Sequence, residues 1–240
     1  MEEVAQGITI ENVGMLDLTG KQEDDLSGVT LIQNVGLILV PQALTAALMK
    51  IAQKNVGLTV TLPEPSANGK LKVISGQVTI GGEAFANENG SADDVLVIVG
   101  QVIVTSPVAK IGFGEVHAAG QFIFPKASEA ILAGGITRLA GQIVYYHKEA
   151  PRLFVGNDTF SKGFFELFDT PMSMVLVGDF EFESDVDIAL LKQKVTEIVL
   201  VGSLKAPKPL VPLLQLLAVT KLGDIIGIEP ADMLDAAGAE

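Results

Sequence analysis

Apolar and polar residues alternate along most of the chain in short runs, and the runs share a phrase. "ISGQVTI" from Ile74, "VIVGQVIV" from Val97, "AAGQFIF" from Ala118 and "LAGQIVYY" from Leu139 all place Gly-Gln before alternating apolar residues. With the glycine as position zero, counterparts stand at Gly14, Gly36, Gly76, Gly100, Gly120, Gly141, Gly156, Gly178 and Gly202. The usual interval, about 20 to 24 residues, is that of one solenoid coil. Position +2 is apolar in every copy except Asp158, and +4 is apolar throughout, as in Val102 and Val104 or Phe180 and Phe182. A period of two is the period of a β-strand with one face in a core. Each unit therefore predicts one strand, or two short ones meeting at the glycine, which tolerates a corner and a close backbone approach. "NVGLTVTL" from Asn55 resembles a further unit whose apolar residues, Leu58, Val60 and Leu62, stand one place out of phase.

Helical spacing appears between some of the strands. "PQALTAALMKIAQK" puts Leu44, Ala47, Leu48 and Ile51 on one stripe behind a first-turn proline. "SDVDIALLKQKVTEI" has Ser184 as its predicted N-cap and Ile188, Leu191 and Val195 as its stripe. "PKASEAILAGGITRL" and "PKPLVPLLQLL" carry the same signal, interrupted by Gly-Gly and by Pro. The Gly-rich acidic stretch from Gly81 reads as a surface loop, so a boundary between two halves would fall near residues 81–95.

The expected fold is a β-rich solenoid, either a parallel β-helix or an α/β leucine-rich-repeat-like coil. It has about nine to ten coils of roughly 22 residues, with helices in some connections. Residues 1–230 then form a single solenoid domain, and 231–240 a polar tail. Stacking places Gln77, Gln101, Gln121 and Gln142 one strand spacing apart, about 4.8 Å, so that each amide can bond the next in a ladder. Asn12, Asn34 and Asn55, in three copies of "NVG", predict a second ladder. The face carrying the glutamines also carries Val99, Ile103, Ala119 and Ile123, and is expected to be covered, as parallel sheets usually are.

In "VTEIVLVGSLKAPKPLVPLLQLL", Val195, Ile198 and Leu200 follow an L-x-x-L-x-L rhythm with a proline downstream, and this coil resembles leucine-rich repeats. The glycine-punctuated β-rich pattern is also similar to that of bactofilins, and implies coils that stack into a polymerising β-helix.

Composition narrows the function. The 240 residues carry 16 basic and 29 acidic side chains, a net charge of −13, which disfavours nucleic acid and anionic membrane surfaces. The absence of cysteine excludes disulfides, thiolate metal sites and a cysteine nucleophile. Neither a signal-peptide pattern nor an apolar stretch of spanning length is present, so a cytoplasmic protein without a membrane span is expected. "IGFGEVHAAG" lacks the third glycine of a dinucleotide loop, no P-loop lysine follows a Gly-rich run, and no cofactor or resident metal is expected.

Carboxylates cluster at Glu23-Asp24-Asp25, at Asp93-Asp94 and in "DFEFESDVD", and two places carry candidate chemistry. Glu115 and His117 share one side of a strand, as half of an acid-base or metal pair. Asp179 and Glu181, with Glu183, alternate onto the face opposite Phe180 and Phe182. A solvated, edge-protecting acidic face is the plainer account of that stripe. The expected function is a non-catalytic scaffold or assembly element binding a protein partner or further copies of itself. The alternative is a β-helix enzyme or binding protein acting on carbohydrate through those carboxylates.

Overall fold

Each strand bearing the repeated phrase turns midway on a residue with positive φ, and that turn organises the molecule. In the computed structural model, which describes residues 7–64, 67–148 and 150–229, the strands form three parallel sheets in strict chain order. The first holds β1 (Ile8–Asp17), β2 (Val29–Pro41) and β3 (Ala52–Leu62). The second holds β4 (Leu71–Ile80), β5 (Val95–Val104), β6 (Glu115–Pro125) and β7 (Arg138–Tyr146). The third holds β8 (Arg152–Phe160), β9 (Met172–Phe182), β10 (Val195–Pro207) and β11 (Ala218–Ile228). The strands are parallel as expected, but they do not make one continuous stack of nine or ten. The run is broken between β3 and β4 and between β7 and β8, whereas residues 81–94 join two strands of one sheet.

In the second and third sheets the turning residue is the expected glycine, with φ from +100 at Gly76 to +141 at Gly141. Gly223 belongs to the same column, opposite Gly202, and was hidden in the sequence by the polar residues around it. In the first sheet the turn falls two residues earlier, on Asn12, Asn34 and Asn55, with φ of +58, +53 and +52. Asparagine is among the few side chains that tolerate this region. Gly14 and Gly36 are therefore not corners; a Cβ on Gly36 would lie 2.7 Å from the Gly14 carbonyl oxygen, and close stacking is what requires glycine there.

All connections of a sheet return over one face, where they meet inward residues from both halves of the bent strands. Leu26, Leu44 and Leu48 pack on Ile32, Ile38 and Val40 in the first sheet. In the second, Phe85, Val108 and Leu132 pack on Leu96, Ile98, Val102 and Phe122. In the third, Phe165, Leu191 and Leu214 pack on Leu176, Phe180, Leu200 and Leu204. Each such side chain, fully buried, contributes about 1.5 to 3 kcal/mol.

The helices are one or two turns long: α1 (Thr45–Leu48), α2 (Glu129–Gly135), α3 (Lys162–Glu166), α4 (Ile188–Lys194) and α5 (Val211–Leu217). The N-cap of α4 is Asp187, whose carboxylate accepts from the Leu190 N–H at 2.9 Å, rather than Ser184. Its buried residues are Leu190 and Leu191, while Ile188 is exposed, so the stripe predicted through Ile188 is rotated. Among the described residues no helix is long and apolar enough to cross a membrane.

The outer faces pack the sheets on one another in a zigzag. Leu39 and Leu62, beyond the turn in the first sheet, meet Val95, Val97 and Val99, which precede the turn in the second. Ile103, Ile123 and Val144, beyond the turn in the second sheet, meet Val175, Val177, Val199 and Val201, which precede it in the third. The phase shift of the Asn55 unit follows from this arrangement. β3 is an edge strand whose inward Thr59 is exposed, while Val60 and Leu62 face the second sheet.

Candidate functional site

The predicted ladder residues line up in neighbouring strands. Gln77 Nε2 donates to Gln101 Oε1 at 2.6 Å, and Gln101 Nε2 to Gln121 Oε1 at 2.9 Å; Gln142 stands in register with Gln121 on the edge strand. Asn55 Nδ2 donates to Asn34 Oδ1 at 2.9 Å, and Asn34 Nδ2 to Asn12 Oδ1 at 3.1 Å. The glutamine column runs beside Gly156, Gly178 and Gly202 of the third sheet, in the groove where the second and third sheets diverge. Its amides are spent largely on one another, which suits a ladder tying the strands of the second sheet together better than a ligand contact.

Glu115 and His117 come together on the outer face of β6, with His117 Nε2 2.8 Å from Glu115 Oε2. Behind them lies a recess of ≈ 80 Å³ between β3 and the start of β6 and β7, lined by Leu58, Val60, His117, Ala119, Arg138 and Ala140. Asp179 and Glu181 stand on the outer face of β9 beyond the turn, on a different sheet, so the two candidate pairs do not converge. Asp179 accepts from Ser203 Oγ at 2.6 Å, and Asp179 is exposed. Among the described residues no sheet lies over that half-face, which Lys205 shares. On the first sheet the half-face before the turn is also polar: Gln33 Nε2 donates to Glu11 Oε2 at 2.5 Å and Lys54 follows in the same register. The outer half-faces richest in apolar residues are the ones that pack sheet on sheet, and these two polar half-faces lie at the two ends of the zigzag.

Two polar centres that the sequence did not reveal are built around buried carboxylates. Glu197, 2% exposed on β10, accepts at Oε1 from the His147 N–H at 3.0 Å, the Lys148 N–H at 3.1 Å and Ser173 Oγ at 2.9 Å. It ties the connection between the second and third sheets to the third. Asp94 closes the 81–94 loop, accepting from Asn87 Nδ2 at 3.0 Å, the Lys70 N–H at 2.8 Å and the Ser91 N–H at 2.9 Å. The Asn87 amide, then the two backbone donors, hold its carboxyl below the usual carboxylate range. The signal for both would have been an acidic residue inside or beside an apolar run, which periodicity alone does not distinguish from a surface position.

Asp158, the break in the apolar column, lies on edge strand β8, exposed, with Oδ1 accepting from the Thr159 N–H at 2.8 Å. Among the described residues no group of three or more His, Asp or Glu is placed to hold a metal ion. Comparison of the chain with protein families, with curated proteins and with solved structures returns no match.

Proposed function

We propose that this chain is an interrupted solenoid acting as a non-catalytic scaffold, a cytoplasmic protein-interaction or assembly element whose partners are proteins rather than nucleic acid. The observation that carries the reading is the distribution of exposed apolar side chains. Among the described residues, Ile8, Met15, Leu58, Leu139, Val155, Val219 and Ile226 are on strands at the edges of the sheets, where an added chain would cover them, and Met49, Leu167, Ile188 and Leu216 are exposed on the helical connections. The polar groups that chemistry would require support it from the other side. Glu197 and Asp94 hold loops in place, and the pairs Glu115–His117 and Asp179–Glu181 occupy separate sheets.

A screen for carbohydrate hydrolysis and carbohydrate binding, run beside light scattering on size-exclusion eluates, tests the proposal. The scaffold reading expects no turnover, and an unchanged elution profile when Glu115→Gln, His117→Ala, Asp179→Asn and Glu181→Gln are combined. Turnover or sugar binding lost on Asp179→Asn would overturn it in favour of the carbohydrate reading.

A further inference from the structure

The first sheet has three strands where the sheet it packs against has four. β2 and β3 cover the outer face of β5 and β6 before the turn, through Leu39, Leu62, Val97 and Ala119. The corresponding half of β7, residues 138–142, is exposed throughout. The recess between β3 and β7 lies at the place a fourth strand of the first sheet would take, with the open edge of β3 as its wall and Ala140 and Arg138 in its floor.

We propose that this vacancy is a β-augmentation site that takes one extended peptide segment of acidic and apolar residues from a partner protein, parallel to β3. Arg138 lines the recess and Lys54 stands further back along the same edge of β3, before its turn; neither has an ionic or hydrogen-bonding partner among the described residues, in a chain of net charge −13. Side-chain columns of the first sheet run up to the open position. Glu11, Gln33 and Lys54 form one, Met15, Leu37 and Leu58 another. The asparagine ladder ends there too, at Asn55. An acidic residue beside Lys54, an amide beside Asn55 and an aliphatic residue beside Leu58 continue all three, while main-chain pairing with β3 supplies the affinity. The occupant is a lone strand because β7 already provides its floor. A second copy of this chain seated on β3 would bring its own second sheet onto β7.

The probe is a labelled peptide copying residues 8–17, which places Glu11, Asn12 and Met15 at the open ends of those columns. Fluorescence anisotropy is expected to show saturable binding, weakened roughly fivefold or more by Lys54→Glu in the protein and recovered by a Glu11→Lys peptide. Hydrogen exchange is expected to slow in β3 and in residues 138–142 on binding. No binding up to about 1 mM peptide, or protection on β1, β4 or β8 instead, overturns the proposal. So does concentration-dependent self-association that already protects β3 without peptide. The proposal rests on the scaffold reading, but each of these failures leaves that reading to the turnover and sugar-binding screen.

Discussion

A methyl group added at Gly100 would sit 2.2 Å from the Gly76 carbonyl oxygen, on a backbone at φ +118. Both the contact and the conformation oppose any side chain there, and the obstacle is backbone of the next strand, which cannot swing aside. Gly100→Ala is expected to cost about 3 kcal/mol or more in urea unfolding. Gly134→Ala, in α2 with nothing within 4 Å of the added carbon, is expected to stabilise by about 0.5 to 1 kcal/mol. Equal losses at the two sites would refute the corner role of the glycine column. The recurrence of glycine was legible in the sequence because a corner in a stack must be repeated in each strand. The shift to asparagine at the corners of the first sheet was not, since Asn-Val-Gly offers two residues able to make the turn and only the backbone shows which one does.

At the scale of elements, strands were legible, and α1, α2, α4 and α5 fall in connections whose spacing is helical, while α3 was not legible. Alternation survives in β5, where Leu96, Ile98, Val102 and Val104 all face the short connections. The predicted stripe of Leu44, Ala47, Leu48 and Ile51 is buried around α1, whereas in α4 the cap falls on Asp187 rather than Ser184 and Ile188 is left exposed. The end of β7 carries a testable interaction. Tyr146 is buried, its hydroxyl donates to the Val104 carbonyl at 2.9 Å, and burial pushes its pKa from 10.0 to about 12. Because the folded value lies above the unfolded one, this contribution is intact below pH 10.0 and is lost as pH rises through about 12. Tyr146→Phe is expected to cost about 1 kcal/mol at neutral pH, where the Val104 carbonyl loses its donor, and to remove this step from the alkaline unfolding curve. An alkaline curve unchanged by Tyr146→Phe would exclude it.

Over the whole molecule, stability depends on how the three sheets are joined. Glu197 bonds the connection at His147 and Lys148 and also bonds Ser173 on the neighbouring strand. Glu197→Ala leaves three donors without their acceptor and is expected to cost about 2 to 4 kcal/mol, with faster hydrogen exchange at the His147 and Lys148 amides. Glu197→Gln keeps an acceptor oxygen and is expected to lose less. Unchanged exchange at those two amides in the alanine variant would show that the connection is held by other contacts.

The sequence by itself determined the local geometry: parallel strands of alternating pattern, a turn in the middle of each, and polar columns one strand spacing apart. These are properties of a residue and its neighbours at a fixed period, and such information is written into the order of side chains. Only the tertiary structure decided that the run breaks twice and folds back on itself, and which sheet covers each half of the half-apolar second face that was expected to be covered. Val97 and Ile103 read alike in the sequence, yet one meets the first sheet and the other the third. The physical reason is that burial of an outer face depends on which surface arrives from elsewhere in the chain. Among the described residues the same dependence leaves one strand position unfilled beside β3, a feature of no single segment and visible only when three strands are laid against four.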